Sequence, residues 1–227
     1  MTVYFISGID TDVGKTFATG MIARYLAKKG RRVITQKMVQ TGVSGILADD
    51  ILVHRKLMGI EPLPCDHSGE TCPLVYRMPA SPHLAAEREG TIIDLSRIDA
   101  STRRLLDEFD IVLLEGAGGL HVPLTHNGLI ADYVQQRQYP LVLVTSGKLG
   151  SINHTLLTLE SAAHRNIPIA GLVYNHAHAT DAVIRDDSIR YFKNTLKKYG
   201  REGAFVEMPT IDFADIPEID FYSLLKP

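Results

Sequence analysis

The sequence predicts an α/β fold built on a doubly wound, mostly parallel sheet. Two observations lead there. Short continuous apolar runs, such as Ile111 to Leu114 and Leu141 to Val144, read as strands buried on both faces. Longer segments with apolar residues at helical spacing separate them, so strands and helices alternate without internal repeats. A third observation indicates where a ligand goes. The stretch Gly8-Ile9-Asp10-Thr11-Asp12-Val13-Gly14-Lys15-Thr16 follows the apolar run Val3 to Ile6. It precedes a segment with Phe17, Met21, Ile22, Tyr25 and Leu26 on one face. Strand, glycine-bounded loop ending in Gly-Lys-Thr, then helix is the phosphate-binding arrangement. The expected architecture is therefore three-layered and P-loop NTPase-like, in a single domain over residues 1–227.

Each part of that loop has a physical task. Gly14 lets the backbone approach a phosphate, and the helix N-terminus presents partial positive charge to it. Lys15 can neutralise phosphate oxygens, and the Thr16 hydroxyl can ligate Mg²⁺. Five residues separate Gly8 and Gly14, where the usual motif has four.

The remaining elements follow in order. Val33 to Lys37 is a second strand, and ligands in such sheets bind beyond strand C-termini. Lys37 thus either faces the same phosphates as Lys15 or returns the chain to solvent. Gln40, Thr41 and Gly42 read as a polar loop. Asp49-Asp50 opens a helix carrying Ile51, Leu52, His54 and Leu57. Its acidic start serves the helix dipole or reaches a metal. Gly59 to Met78 lacks periodicity and reads as a long loop, the kind that is usually functional or mobile. Ser81-Pro82 marks a helix start, and Asp94 caps another helix with Leu95, Ile98, Leu105 and Leu106 at core spacing. The strand Ile111 to Leu114 runs into Glu115-Gly116-Ala117-Gly118-Gly119, either a Mg²⁺ carboxylate or an acidic turn. Ile130 to Val134 is helical, and Leu141 to Thr145 is a strand. Ser151 is expected to cap the helix that follows, making a second anion site. Ile169 to Tyr174 ends at Asn175, whose carboxamide reads an adenine edge or simply turns the chain. Asp181 to Lys198 is a charged helix, Ala204 to Glu207 a short strand, and the rest a proline-containing tail.

Composition narrows the partners. A net charge of −2 gives no reason to expect nucleic acid or a membrane surface. No apolar run could span a bilayer, and the N-terminus enters a strand at once, so a cytoplasmic protein is expected. Cys65 and Cys72, with His67 between them, suit reduced thiols better than a metal site.

Together these motifs resemble the dethiobiotin synthetase family. The resemblance rests on the phosphate loop, Lys37, Ser81-Pro82-His83, Glu115 to Gly119, and Lys148-Leu149-Gly150-Ser151-Ile152-Asn153-His154. It runs from the loop through Asn175 and weakens in the tail. Thr41 stands where the family often has serine, and Asp12 where some members have glutamate. The resemblance implies ATP-dependent joining of CO₂ or bicarbonate to 7,8-diaminopelargonate. The product would be a cyclic urea, reached through a carbamate and a carbamic–phosphoric anhydride. It implies Mg²⁺ held by Thr16, Asp50 and Glu115. Lys37, Lys15 and Thr11 would be the catalytic groups. Nucleotide contacts would come from Asp12 to Phe17, from Glu115, Gly116, Ala117 and Gly118, and from Asn175. Thr41 and, from the partner of a homodimer, Gly150, Ser151, Ile152 and Asn153 would bind the substrate. Partition ATPases share the fold but carry a lysine five residues before the loop lysine, where this chain has Asp10.

Overall fold

Period-two alternation in the first strand divides the apolar residues between two cores. Val3 and Phe5 join one cluster, Tyr4 and Ile6 the other. The computed structural model describes residues 1–43, 45, 47–177 and 181–225. In chain order, β1 (Thr2–Gly8) leads to α1 (Lys15–Lys28), β2 (Val33–Lys37), β3 (Gln40–Thr41) and α2 (Asp49–Met58). Next come α3 (Pro64–His67), β4 (Val75–Tyr76), α4 (Pro82–Arg88), α5 (Leu95–Glu108) and β5 (Ile111–Gly119). The hairpin strands β6 (Pro123–Thr125) and β7 (Gly128–Leu129) precede α6 (Ile130–Arg137) and β8 (Leu141–Ser146). The chain continues through α7 (Ser151–His164), β9 (Ile169–Asn175), α8 (Ala182–Lys197) and β10 (Phe205–Met208) to a 3-10 turn at Tyr222–Leu224.

Six strands form one sheet in the order β10-β9-β8-β1-β5-β2, and every pairing is parallel. One core lies between the sheet and helices α4 to α8, contributing residues such as Ala85, Leu105, Val134, Leu159 and Phe192. The other lies under α1 and α2 and takes Met21, Ile22, Leu26 and Leu57. This is the expected three-layer, P-loop NTPase-like arrangement. The phosphate loop follows β1, next to the point where the strand order reverses, and there the crevice opens.

Three segments differ from the sequence reading. The stretch 59–78 is an ordered brace, not a free loop. It carries α3 and β4, and β4 pairs with β3, so Gln40 and Thr41 are strand residues. Its anchor is a buried ion pair: Arg55 Nε and Nη2 donate to Asp66 at 2.8 and 2.7 Å. Thr71 Oγ1 and the Leu63 amide donate to the same carboxylate, each at 2.7 Å. The periodicity of the stretch conceals this because a polar pair and turns, not an apolar stripe, hold it. β5 continues through the glycines to Gly119, which pairs with Gly8 of β1 after a register shift beyond Glu115. The tail is no loose end: Phe221 and Leu224 are fully buried in the α1-side core.

Both thiols are buried and free. Burial pushes Cys65 up to about 11 and Cys72 up to about 12, which keeps them protonated. Among the described residues no helix is long and apolar enough to cross a membrane.

Asp66 provides a test of the brace. Burial alone would raise its pKa, but hydrogen bonds from Arg55 and Thr71 and the Arg55 charge outweigh that and hold it below the usual range. The folded value thus lies under the unfolded one, about 3.9. The contribution is complete above roughly pH 5 and is lost as pH falls through the folded value. Asp66→Asn should cost about 3–5 kcal/mol at neutral pH by leaving Arg55 uncompensated. In urea melts the gap between wild type and variant should hold from pH 7 to about pH 5 and narrow as pH falls from there towards about pH 2.

Candidate functional site

The first turn of α1 depends on a backbone conformation that glycine adopts cheaply. Gly14 is the N-cap residue, with φ +100°, and a Cβ there would sit 2.2 Å from Asn175 Nδ2. Asn175, at the end of β9, donates from Nδ2 to the Val13 carbonyl at 2.9 Å. Its Oδ1 accepts from the Ala177 amide at 3.0 Å. The carboxamide therefore pins the phosphate loop from across the sheet. Lys15 Nζ lies along the same loop and donates to the Asp10 carbonyl at 2.9 Å. Burial lowers the Lys15 pKa to about 8, with the Lys37 charge adding to that; Glu115, Asp50 and Asp12 oppose it.

The deeper part of the site is set by strand register. Lys37 and Glu115 are partners in the parallel pairing of β2 with β5, so their side chains emerge together. Lys37 Nζ donates to Glu115 Oε1 at 2.8 Å and to the Gly116 carbonyl at 3.0 Å, and it meets Asp50 Oδ2 at 2.6 Å. Burial alone would lower the lysine pKa, but the Glu115 and Asp50 charges raise it further, so Lys37 stays protonated. Burial alone would raise Glu115; the Lys37 charge and hydrogen bonds from His54 and Lys37 hold it well below the carboxylate range. Thr16 Oγ1 donates to Glu115 Oε1 at 3.2 Å. One hydroxyl and two carboxylates thus converge beside the phosphate loop, a set of hard oxygens suited to a divalent cation.

These groups surround a cleft of about 880 Å³. Thr11, Asp12, Gly14, Lys15, Thr16 and Phe17 form one wall. Lys37 and Thr41 come from the far side, Asp50 from α2, and Glu115, Ala117 and Gly118 from β5. Asn175 closes the end. Val13 and Gly116 do not line the cleft; their carbonyls accept from Asn175 and Lys37. The Val13 side chain is buried in the α1-side core, and Gly116 packs on Phe5, whose ring would lie 2.8 Å from an added Cβ.

The start of α7 stands apart from this cleft. None of Gly150, Ser151, Ile152 and Asn153 lines it. Ser151 is not the cap: Gly150 takes that position with φ +92°, favourable for glycine, and moves the boundary one residue earlier. The Ser151 hydroxyl turns inward to Ser146 Oγ at 3.2 Å. Gly150 and Asn153 are exposed, and the neighbouring Leu149 is 79% exposed. Ser81 does occupy a cap position before Pro82, but its hydroxyl pairs with His83 Nδ1 at 3.1 Å, not with a helix amide.

Two sets of residues here had no site role in the sequence reading. Gln40, Ala80, Ser81 and Pro82 line it, brought over by the β3–β4 pairing and the start of α4. His54 is fully buried, with Nε2 2.9 Å from Glu115 Oε2. The signal for it was its spacing, one helical turn after Asp50.

Comparisons with known proteins agree with this fold. A family model described as an AAA domain matches residues 2–210. The ATP-dependent dethiobiotin synthetase BioD of Chlorobaculum tepidum is 52% identical over 210 residues, covering 92% of this chain and 86% of the relative. A second such enzyme, from Pasteurella multocida, is 48% identical over 209 residues, covering 92% and 98%. The chain belongs to the dethiobiotin synthetase family. As a member of that family it is an enzyme, an ATP-dependent ligase. A ParA family ATPase from Chlorobium tepidum, at 16% identity, shares the fold with a TM-score of 0.52 over 99% of this chain and 89% of that one.

The contact between Gly14 and Asn175 yields a test. Gly14→Ala forces φ +100° on a residue with a Cβ, costing about 1–2 kcal/mol before any clash. ADP affinity should fall at least tenfold, measured by calorimetry. Adding Asn175→Ala removes the group in the way and should recover part of the loss, though the loop then lacks its staple.

Proposed function

We propose that this chain uses ATP to join CO₂ to 7,8-diaminopelargonate and closes the ring to dethiobiotin, releasing ADP and phosphate. The observation that carries this reading is Lys37: a buried, ion-paired lysine beside the phosphate loop, in a cleft large enough for a nucleotide and a small acid. One amine of the substrate would add to CO₂, lose a proton and become a carbamate. The carbamate oxygen would take the γ-phosphoryl group, with ADP as leaving group. The second amine would then attack the carbamoyl carbon and expel phosphate, giving a cyclic urea.

Two anions meet in the phosphoryl step, and the chain's residues suit that problem. Lys15 and the α1 N-terminus would hold the phosphates, and Lys37 would face the carbamate oxygen and the transferring group. No side-chain nucleophile is required, because positioning and fixed charge carry such transfers. Thr11 and Thr41, both on the cleft wall, would orient the carbamate by hydrogen bonds. Asn175 would meet the nucleotide at the end it closes. Thr16, Asp50 and Glu115 would hold Mg²⁺, which supplies positive charge at the phosphate oxygens. Two carboxylates and a hydroxyl leave room for phosphate oxygens and water in its shell.

We further propose a homodimer in which the α7 start of one subunit completes the other's cleft. The exposed positions of Gly150 and Asn153 at that helix start, away from their own cleft, support this. They offer an anion site for the substrate's tail carboxylate.

The deciding assay supplies diaminopelargonate, labelled bicarbonate and MgATP. Labelled cyclic urea should form, and ADP release should require the diamine; equal turnover without diamine would reject the reading. Lys37→Gln should lower kcat by roughly 10²–10³ with little change in the KM for ATP, because its contact strengthens in the transition state. Lys15→Gln should disturb both constants. Mixing a Lys37 variant with an Asn153 variant should restore some activity through hybrid dimers, which a self-contained site would not allow.

A further inference from the structure

His54 has no part in the reaction described above, yet it is fully buried and touches the most deeply placed carboxylate of the site. We propose that His54 is the positioning residue for Glu115: it anchors Oε2 so that Oε1 is the oxygen turned to Thr16 and Lys37. The geometry is one-sided. Oε1 accepts from Lys37 Nζ at 2.8 Å and from Thr16 Oγ1 at 3.2 Å; Oε2 has His54 Nε2 at 2.9 Å. A carboxylate oxygen only accepts, so Nε2 carries the proton. The other ring nitrogen, Nδ1, has no hydrogen-bond partner among the described residues. A buried imidazole with one nitrogen left unpaired is not explained as packing, since an apolar side chain would fill the space without that cost.

The fold delivers His54 to this place in two ways. Asp50 and His54 lie one turn apart on α2, so both face the end of β5. The absence of a side chain at Gly20 lets α2 settle against α1: an added Cβ would meet Leu57 Cδ1 at 2.6 Å and His54 Cα at 3.3 Å. Groups behind a metal ligand fix which oxygen it presents, and their loss typically weakens metal affinity or activity about 10–100-fold.

The inference rests on the proposed role of Glu115 toward Mg²⁺, so its test measures binding and not the urea product. ADP affinity is measured by calorimetry with and without Mg²⁺. His54→Leu should leave metal-free ADP binding near wild type and remove about tenfold or more of the gain that Mg²⁺ confers. His54→Gln, whose amide nitrogen reaches as far as Nε2, should keep most of that gain. His54→Asn, one bond shorter, should not. Folded Leu and Asn variants with the full Mg²⁺ gain would overturn the proposal. Nitrogen-15 NMR on the wild-type protein supplies an outcome that needs no variant: the ring should carry its proton on Nε2, and a proton on Nδ1 alone would overturn it. Absence of a urea product in the wild-type assay would count against the reaction and leave these binding results standing.

Discussion

The structure depends on one buried charge held between two others. Lys37 lies 2.8 Å from Glu115 and 2.6 Å from Asp50, and both Lys37 and Glu115 are buried. Removing an ammonium and a carboxylate from water is costly, and only close pairing with further hydrogen bonds offsets the loss. Here those bonds come from the Gly116 carbonyl, Thr16 and His54. Such a cluster adds little to stability compared with an apolar core. Its effect is to hold a positive charge at a fixed point beside the phosphate loop.

The rest of the fold keeps that point next to the phosphate loop. The loop follows β1, and β5 lies between β1 and β2, so Glu115 is presented alongside both. Asn175 reaches over from β9 to hold the loop at Val13. The brace 59–78 acts on the other side: the Thr71 carbonyl accepts from the Lys37 amide at 2.7 Å, and the Leu74 carbonyl from the Gln40 amide at 2.9 Å. The end of β2 is thus clamped by a segment that Arg55 and Asp66 lock in place.

Much of this was legible in the residues. The phosphate loop announced itself because its chemistry is local: strand, turn and helix start are consecutive, and each residue type has its own backbone or charge requirement. The strands β5, β8 and β9 were visible as uninterrupted apolar runs, since burial on both faces erases alternation. Asp50, Glu115 and Lys37 were legible as residues at element ends, where such sheets collect ligands. The brace was not, because Arg55 and Asp66 look like ordinary surface charges until the tertiary contact buries them. The α7 cap was misread by one residue, since glycine and serine both suit a cap and only the backbone angle decides between them.

The sequence by itself determined the local chemistry: a phosphate loop after the first strand, parallel strands alternating with helices, and carboxylates at element ends. Those features follow from short-range rules of periodicity, capping and side-chain type. Tertiary structure alone decided which of the charges meet. Lys37 and Glu115 are 78 residues apart and touch because β2 and β5 pair in one register; a slip of one residue would send the two to opposite faces. His54 entered the site because Gly20 let two helices close on each other, and Asn175 because β9 ends opposite the loop. Long-range pairing of this kind depends on strand order and helix packing, which no local run of residues specifies.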